Sequence, residues 1–335
     1  MKGLVVGFGS IGRRHLENLI TLDIDQLSIC EIDPKLRAAA SEQFGLKTFG
    51  DLNSAIDWHP QFAIVATPPH LHVEQCLLLA RAGIDFLVEK PLSHTESGLR
   101  ELAESANRHQ LVTMVGCNMR FHPGPAKIKD MLDQRRIGKI HFARLHCGSY
   151  LPNWRSAVDY RRNYAAHPNT GGGCILDCIH EIDLAHWFLG PVLDVCCMAD
   201  HLSALEIDTE DVAALICRHR SGTISEIHLD YVQREYDRGC QIVGDLGSIG
   251  WDFKAGVINF LDYKDDGRAV FPQPENWRVN EMYVDEIEHF LDCVRSRRPT
   301  MLPVSDAISV MQTAFAAKAS AREHRVILSP AEALA

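Results

Sequence analysis

An apolar run that stops at a glycine turn and restarts as a helix sets the frame for this chain. Lys2 to Gly7 reads as a strand, Gly7-Phe8-Gly9-Ser10-Ile11-Gly12 as a tight turn, and Arg13 to Leu22 as a helix. A strand joined to its helix by so short a turn is the first half of a βαβ unit. The pattern then repeats. Leu27 to Glu31 reads as a strand, Pro34 to Phe44 as a helix with proline at its start, and Phe62 to Ala66 as a strand buried on both faces. His72 to Ala82, Ile84 to Val88, Glu96 to His109 and Leu111 to Val115 continue as helix, strand, helix and strand. Such repetition implies a parallel, doubly wound sheet with right-handed crossovers.

After Arg120 the grammar changes, which divides the chain into an α/β domain over 1–120 and an α+β domain over 121–335. Ile140 to Leu145, Asp194 to Leu202, Val212 to Arg218, Thr223 to Tyr231, Gly239 to Gly244 and Gly256 to Asp262 read as strands separated by Gly and Asp turns. Hairpins of a large, open, mostly antiparallel sheet fit that spacing. Helices over Asn280 to Ser296 and Ser305 to Glu323 end the chain, and the C-terminal helix is a candidate to pack back on the first domain.

Composition narrows the class. A net charge of -10 argues against a nucleic-acid polyanion as the main partner. The amino terminus lacks a signal-like apolar segment, and no apolar run reaches the roughly 18 residues of a membrane span, so a cytoplasmic protein is expected. Eleven cysteines in such a chain read as reduced thiols. None of the Cys or His spacings matches a metal site, and no metal is expected.

The glycine turn carries the first chemistry. Gly7 permits the tight turn, Gly9 lets backbone amides approach a pyrophosphate, and Gly12 lets helix and strand pack closely, with Phe8, Ser10 and Ile11 filling the motif. Glu31 ends the second strand, where a carboxylate accepts both ribose hydroxyls. NAD is therefore favoured over NADP, although Lys35 and Arg37 lie near that position; Asp33 is an alternative helix cap. Thr67-Pro68 turns sharply at the end of another strand and is expected to shape the nicotinamide pocket, with His72 following. Lys90, in Glu89-Lys90-Pro91, stands at the carboxyl end of a further strand, the edge at which open α/β sheets bind ligands.

In the second half, Thr170 to Gly173 leads into a helix bearing Asp177, His180 and Asp183. At one-turn spacing these are expected to share a face, so that a carboxylate and an imidazole point together. Arg120, Trp154, Tyr160, Arg161 and Tyr164 are candidate substrate contacts, because planar donors and aromatic faces suit polyols and carboxylates.

Together these motifs resemble the Gfo/Idh/MocA oxidoreductases: the glycine turn, Ala66 to Pro69 with His72, Glu89-Lys90-Pro91, Asn118 through Arg120-Phe121, and Gly171 to Gly173 leading to Asp177 and His180. The resemblance covers nearly the whole chain. It implies an N-terminal Rossmann domain and a C-terminal open sheet, with dimers or tetramers built on that sheet. It also implies that Lys90 and His180 meet the reacting hydroxyl with an aspartate beside them, and that Glu89, Lys90 and Asn118 help to hold the cofactor. Many members carry the acid four residues before the histidine; here Leu176 stands there, Asp177 is three before His180, and Asp183 is a candidate to share its role. The stretch from Tyr150 through Arg155 to Tyr164, with His180-Glu181-Ile182-Asp183, resembles members associated with acidic or amino-sugar surface-polysaccharide pathways.

The expected activity is an NAD-dependent dehydrogenase interconverting a ring hydroxyl and ketone of a sugar, sugar derivative or cyclitol. Two rivals stand beside it: an enzyme that uses tightly bound NAD transiently, in glycoside cleavage or sugar-to-sugar hydride exchange, and a non-catalytic dinucleotide sensor.

Overall fold

The computed structural model describes residues 1–154 and 159–329. They form two units, one of 1–118 with 279–308 and one of 119–278 with the C-terminal remainder from Ser309.

The first unit runs β1 (Lys2–Val6), α1 (Ser10–Thr21), β2 (Gln26–Cys30), α2 (Pro34–Phe44), β3 (Lys47–Phe49) and α3 (Leu52–Ile56). It continues with β4 (Phe62–Val65), α4 (Pro69–Arg81), β5 (Asp85–Glu89), α5 (Leu99–Arg108) and β6 (Thr113–Gly116). The strands pair in parallel in the order β3-β2-β1-β4-β5-β6. Every residue of β4 and β5 is buried, as a sheet covered by helices on both faces requires. Local chemistry sets the helix ends. Asp33 caps α2 by accepting the Lys35 and Leu36 N–H groups, Pro34 fills the first turn, and Gly45 closes the helix in the left-handed region at φ 65°. In α5, Leu99, Leu102, Ala103 and Ala106 recur at helical spacing and are the buried stripe.

The second unit opens with α6 (Pro123–Asp133), β7 (Ile140–Gly148), α7 (Cys174–Asp177) and α8 (His180–Leu189). Then come β8 (Val192–Asp200), β9 (Val212–His219), β10 (Ile224–Asp230), β11 (Asp237–Gly244), β12 (Gly247–Asp252), β13 (Val257–Asp262) and β14 (Arg268–Pro272). With β15 (Ile327–Leu328) these make a nine-stranded sheet in the order β14-β13-β12-β11-β7-β10-β9-β8-β15. All pairings in it are antiparallel except β7 with β10, which run parallel. Burial alternates residue by residue along β9 and β10, so one face is packed and the other open.

Two helices close the chain, α9 (Glu281–Ser296) and α10 (Val304–Glu323). The expectation gave everything past 120 to the second domain, with the last helix as the returning element. The structure instead returns α9 and the first residues of α10 to the first unit. Phe290 of α9 meets Phe62 edge-on at 6.1 Å, Arg297 pairs with Asp85, and Thr300 donates to the Thr113 carbonyl at 2.6 Å. From Ser309 onward α10 belongs to the second unit, where Ser320 accepts the Cys197 N–H at 2.9 Å.

Candidate active site

In the first unit the candidate residues gather at the carboxyl ends of β1, β2, β4 and β5, on one edge of the sheet. Gly7 sits at φ 89°, and a Cβ there would lie 2.9 Å from the Ala66 carbonyl oxygen. A Cβ on Gly12 would come within 2.0 Å of the Gly7 carbonyl oxygen, so only glycine allows this approach of α1 to the turn. At Gly9 a Cβ would meet nothing within 4 Å. That space lies at the start of α1, whose first turn receives no side-chain cap. Exposed Gly9 and Ser10, half-buried Ile11 and uncapped N–H groups therefore fit a pyrophosphate.

Glu31 lies just past β2, with Oε2 accepting the Phe8 N–H at 2.7 Å and Oε1 accepting the Asp33 N–H at 2.8 Å. Each oxygen keeps a lone pair for a ribose hydroxyl. Arg37 donates to the carbonyls of Glu31 and Ile32. Beside β4, the Thr67 hydroxyl donates to Gln75 Oε1 at 2.6 Å, and Pro68 is exposed at the head of α4. His72 ties two loops together. It was expected at the cofactor, yet it is wholly buried, with Nε2 2.7 Å from the Thr67 carbonyl and Nδ1 2.9 Å from the Pro91 carbonyl. Burial lowers its pKa, and a neutral imidazole donates to only one of these oxygens. It spans the loops after β4 and β5 from beneath. Lys90 is half-buried, and the Lys90–Pro91 peptide is cis. Asn118 is buried at the start of a 3-10 turn.

His15, which sequence reasoning passed over, lies one turn into α1 and places Nε2 2.6 Å from Glu89 Oε1. Burial pushes the Glu89 carboxyl up, but the His15 hydrogen bond and, with it, the Lys90 charge outweigh it and hold the pKa below its ordinary value. No sequence pattern announces a partner 74 residues away.

The second unit supplies the other cluster, and here the expected single helix is broken. α7 ends at Asp177 and α8 begins at His180, with Cys178 and Ile179 between them, so shared-face spacing does not relate the two residues. Asp177 is buried and accepts from the Tyr164 hydroxyl at 2.9 Å and the Tyr231 hydroxyl at 3.3 Å. Tyr231, another residue sequence reasoning missed, is fully buried at the end of β10, and Trp154 packs edge-on against it at 5.2 Å. The Trp154 indole donates to Ser149 at 2.7 Å. His180 is 7% exposed and opens α8. Burial pushes its neighbour Glu181 up to about 8, although Arg238, 2.8 Å away, pulls the other way.

Asp183, a candidate substrate contact from the sequence, pairs with Arg120. It is fully buried, with Oδ2 accepting from Arg120 Nε at 2.9 Å and Oδ1 from Arg120 Nη2 at 2.7 Å. The pair orients Arg120 beneath the Trp187 ring, 5.3 Å from its centre. Arg161 is half-exposed, forked onto Asp159 and paired with Glu206, and the Tyr160 hydroxyl accepts the Glu206 N–H at 3.2 Å. Tyr164 thus lies with Asp177, whereas Tyr160 and Arg161 belong to a neighbouring surface network. Arg155 lies outside the described residues.

Fold and site chemistry define a dinucleotide-dependent oxidoreductase. Residues 1–117 match the profile of the oxidoreductase family with NAD-binding Rossmann fold, and residues 126–250 match the GFO/IDH/MocA C-terminal domain. The chain belongs to the GFO/IDH/MocA family of oxidoreductases. It is 26% identical to a myo-inositol 2-dehydrogenase of Thermotoga maritima, over 96% of this chain and 97% of that protein. It is 24% identical to a scyllo-inositol 2-dehydrogenase (NAD(+)) of Bacillus subtilis, over 95% and 93%. Among solved structures, a levoglucosan dehydrogenase in complex with NADH has the same fold, with a TM-score of 0.90 at 21% identity, covering 98% of this chain and 99% of that one.

Proposed function

We propose that this oxidoreductase interconverts a ring hydroxyl and a ketone on a sugar, sugar derivative or cyclitol, with NAD as the hydride carrier. The observation that carries the reading is the common sheet edge: the glycine turn after β1, Thr67 after β4 and Lys90 after β5 all stand at carboxyl ends of adjacent strands. Relatives that align end to end are named as inositol dehydrogenases, which supports a polyol ring as substrate.

Gly9, Ser10 and the first turn of α1 hold the pyrophosphate, and Glu31 takes the adenosine ribose. Bound NAD accepts or supplies the hydride. Lys90 serves the reacting oxygen, and positioned proton transfer of this kind contributes about 10²- to 10⁴-fold. In the second unit His180 and Asp177, the latter fixed by two phenols, are the candidate acid–base pair, with Tyr164 and Trp154 beside them. The protein works in the cytoplasm, drawing on the NAD pool there, and as a homo-oligomer. Met198, Ile216 and Ile224, exposed by 81%, 56% and 48% on β8, β9 and β10, support assembly through the open sheet face.

NADH formation from NAD across a panel of inositols, aldoses and anhydro sugars tests the activity, and we expect turnover with at least one ring polyol. Lys90→Ala should abolish that turnover. A panel without any NADH formation, from protein that binds NAD, would sink the dehydrogenase reading.

A further inference from the structure

We propose that His15 is a positioning residue for Lys90: from the dinucleotide-binding helix it fixes the Glu89 carboxylate as the counter-charge of the Lys90 ammonium. The proposal rests on the assignment of Lys90 to the reacting oxygen.

The geometry is short and closed. His15 is wholly buried, its Nε2 lies 2.6 Å from Glu89 Oε1, and its Nδ1 is buried without a hydrogen-bond partner. An ionised carboxylate only accepts, so Nε2 carries the proton and donates it. The second Glu89 oxygen accepts the Lys90 N–H at 3.3 Å, so one carboxylate joins α1 to the backbone of the lysine. Other titratable groups lie around this carboxylate. From α1 come His15 and Arg14, whose guanidinium lies 4.5 Å from the centre of the Tyr283 ring. From α4 comes His72, which burial keeps neutral, and from α9 come Tyr283 and Glu286. Tyr283 lies edge-on to His15 at 6.2 Å, and burial first, then Glu89, raises its phenol, so it stays neutral as well.

The consequence for Lys90 follows from sign alone. A nearby carboxylate favours the ammonium. Without a donor at position 15, Glu89 is a buried acid short of its main stabilising partner and shifts toward its neutral form. Lys90 then loses its counter-charge and releases its proton at lower pH. The helix that holds the pyrophosphate thereby also sets the charge of the lysine at the neighbouring strand end.

Labelling of the cofactor-free protein with acetic anhydride across a pH series, read as Lys90 peptide modification by mass spectrometry, gives the titration of that amine without a substrate. In E89Q and H15L we expect it to titrate lower than in the native protein by about one pH unit. His15→Gln, whose amide N–H replaces the imidazole Nε2–H, should stay within about half a unit of native. Native titration in both E89Q and H15L overturns the proposal. So does an equal shift in H15Q and H15L, because ring packing and not the hydrogen bond would then be at work. If H15L does not fold, the contrast between E89Q and H15Q decides the matter. Turnover retained in Lys90→Ala would remove the functional reading separately, since the labelling result does not depend on it.

Discussion

The Arg120–Asp183 pair is buried on both sides, 7% and 0% exposed, so each charge depends on the other for compensation. Taking one partner from such a pair costs about 3–5 kcal/mol, while replacing both by apolar groups is often neutral. Asp183→Asn should therefore lower the unfolding free energy read from urea titration by an amount in that range, and a double replacement of Arg120 and Asp183 by Met and Leu should recover most of it. An Asp183→Asn protein of native stability would show that the pair is not what holds Arg120. At this scale, what could be read from sequence was local. Glu31 and the Asp33 cap follow from residues within one turn of chain. Arg120 with Asp183 spans 63 positions and His15 with Glu89 spans 74, and both pairings arise from tertiary packing for which one sequence has no signal.

At the scale of elements, the glycine turn separates into two kinds of glycine. Gly9 has extended backbone, φ -69° and ψ -171°, and open space where a Cβ would stand, so Gly9→Ala fits the cofactor-free fold. We expect its stability to stay within about 0.5 kcal/mol of native while NAD binding weakens at least about tenfold, because the methyl occupies the pyrophosphate position. Gly12→Ala forces a methyl onto the Gly7 carbonyl and should cost about 1–3 kcal/mol of stability. Calorimetry of unfolding and of NAD binding checks both, and native NAD affinity in Gly9→Ala would place the cofactor elsewhere. Strong periodicity made α2, β9 and β13 readable to within a residue or so. The short β3 and α3 and the strands β12 and β14 escaped, because runs of three to six mixed residues carry no period. The split between α7 and α8 escaped for another reason: Asp177 to His180 has ordinary helix-forming composition, and the break is imposed by packing, since Asp177 is tied to Tyr164 and Tyr231.

At the scale of the whole molecule, the alternation of β9 and β10 leaves exposed apolar side chains interspersed with charged ones on the open face of the second sheet. Ile216 stands opposite Cys196 on β8 and Glu226 on β10, in the middle of that face. Ile216→Lys should convert an assembled native protein to a slower-sedimenting form in analytical ultracentrifugation without loss of NAD binding. A native protein that sediments as a monomer would remove the assembly from the functional reading. The two fold classes and their order along the chain were legible, because alternation of helix and strand gives way to runs of strands near residue 120. The return of α9 to the first unit was not, since an amphipathic helix shows that it packs but not on what.

That return has a consequence for how the protein is born. The dinucleotide unit is begun by residues 1–118 and finished by residues 279–308, which the ribosome makes only after residues 119–278. Phe62, Asp85 and Thr113 meet Phe290, Arg297 and Thr300 only after most of the second unit has been made. At roughly 5–20 residues per second, that delay is roughly 10 to 40 seconds. Through that interval the nascent parallel sheet has an uncovered flank, the stage at which a chaperone would bind it and a truncated message would yield an aggregating fragment.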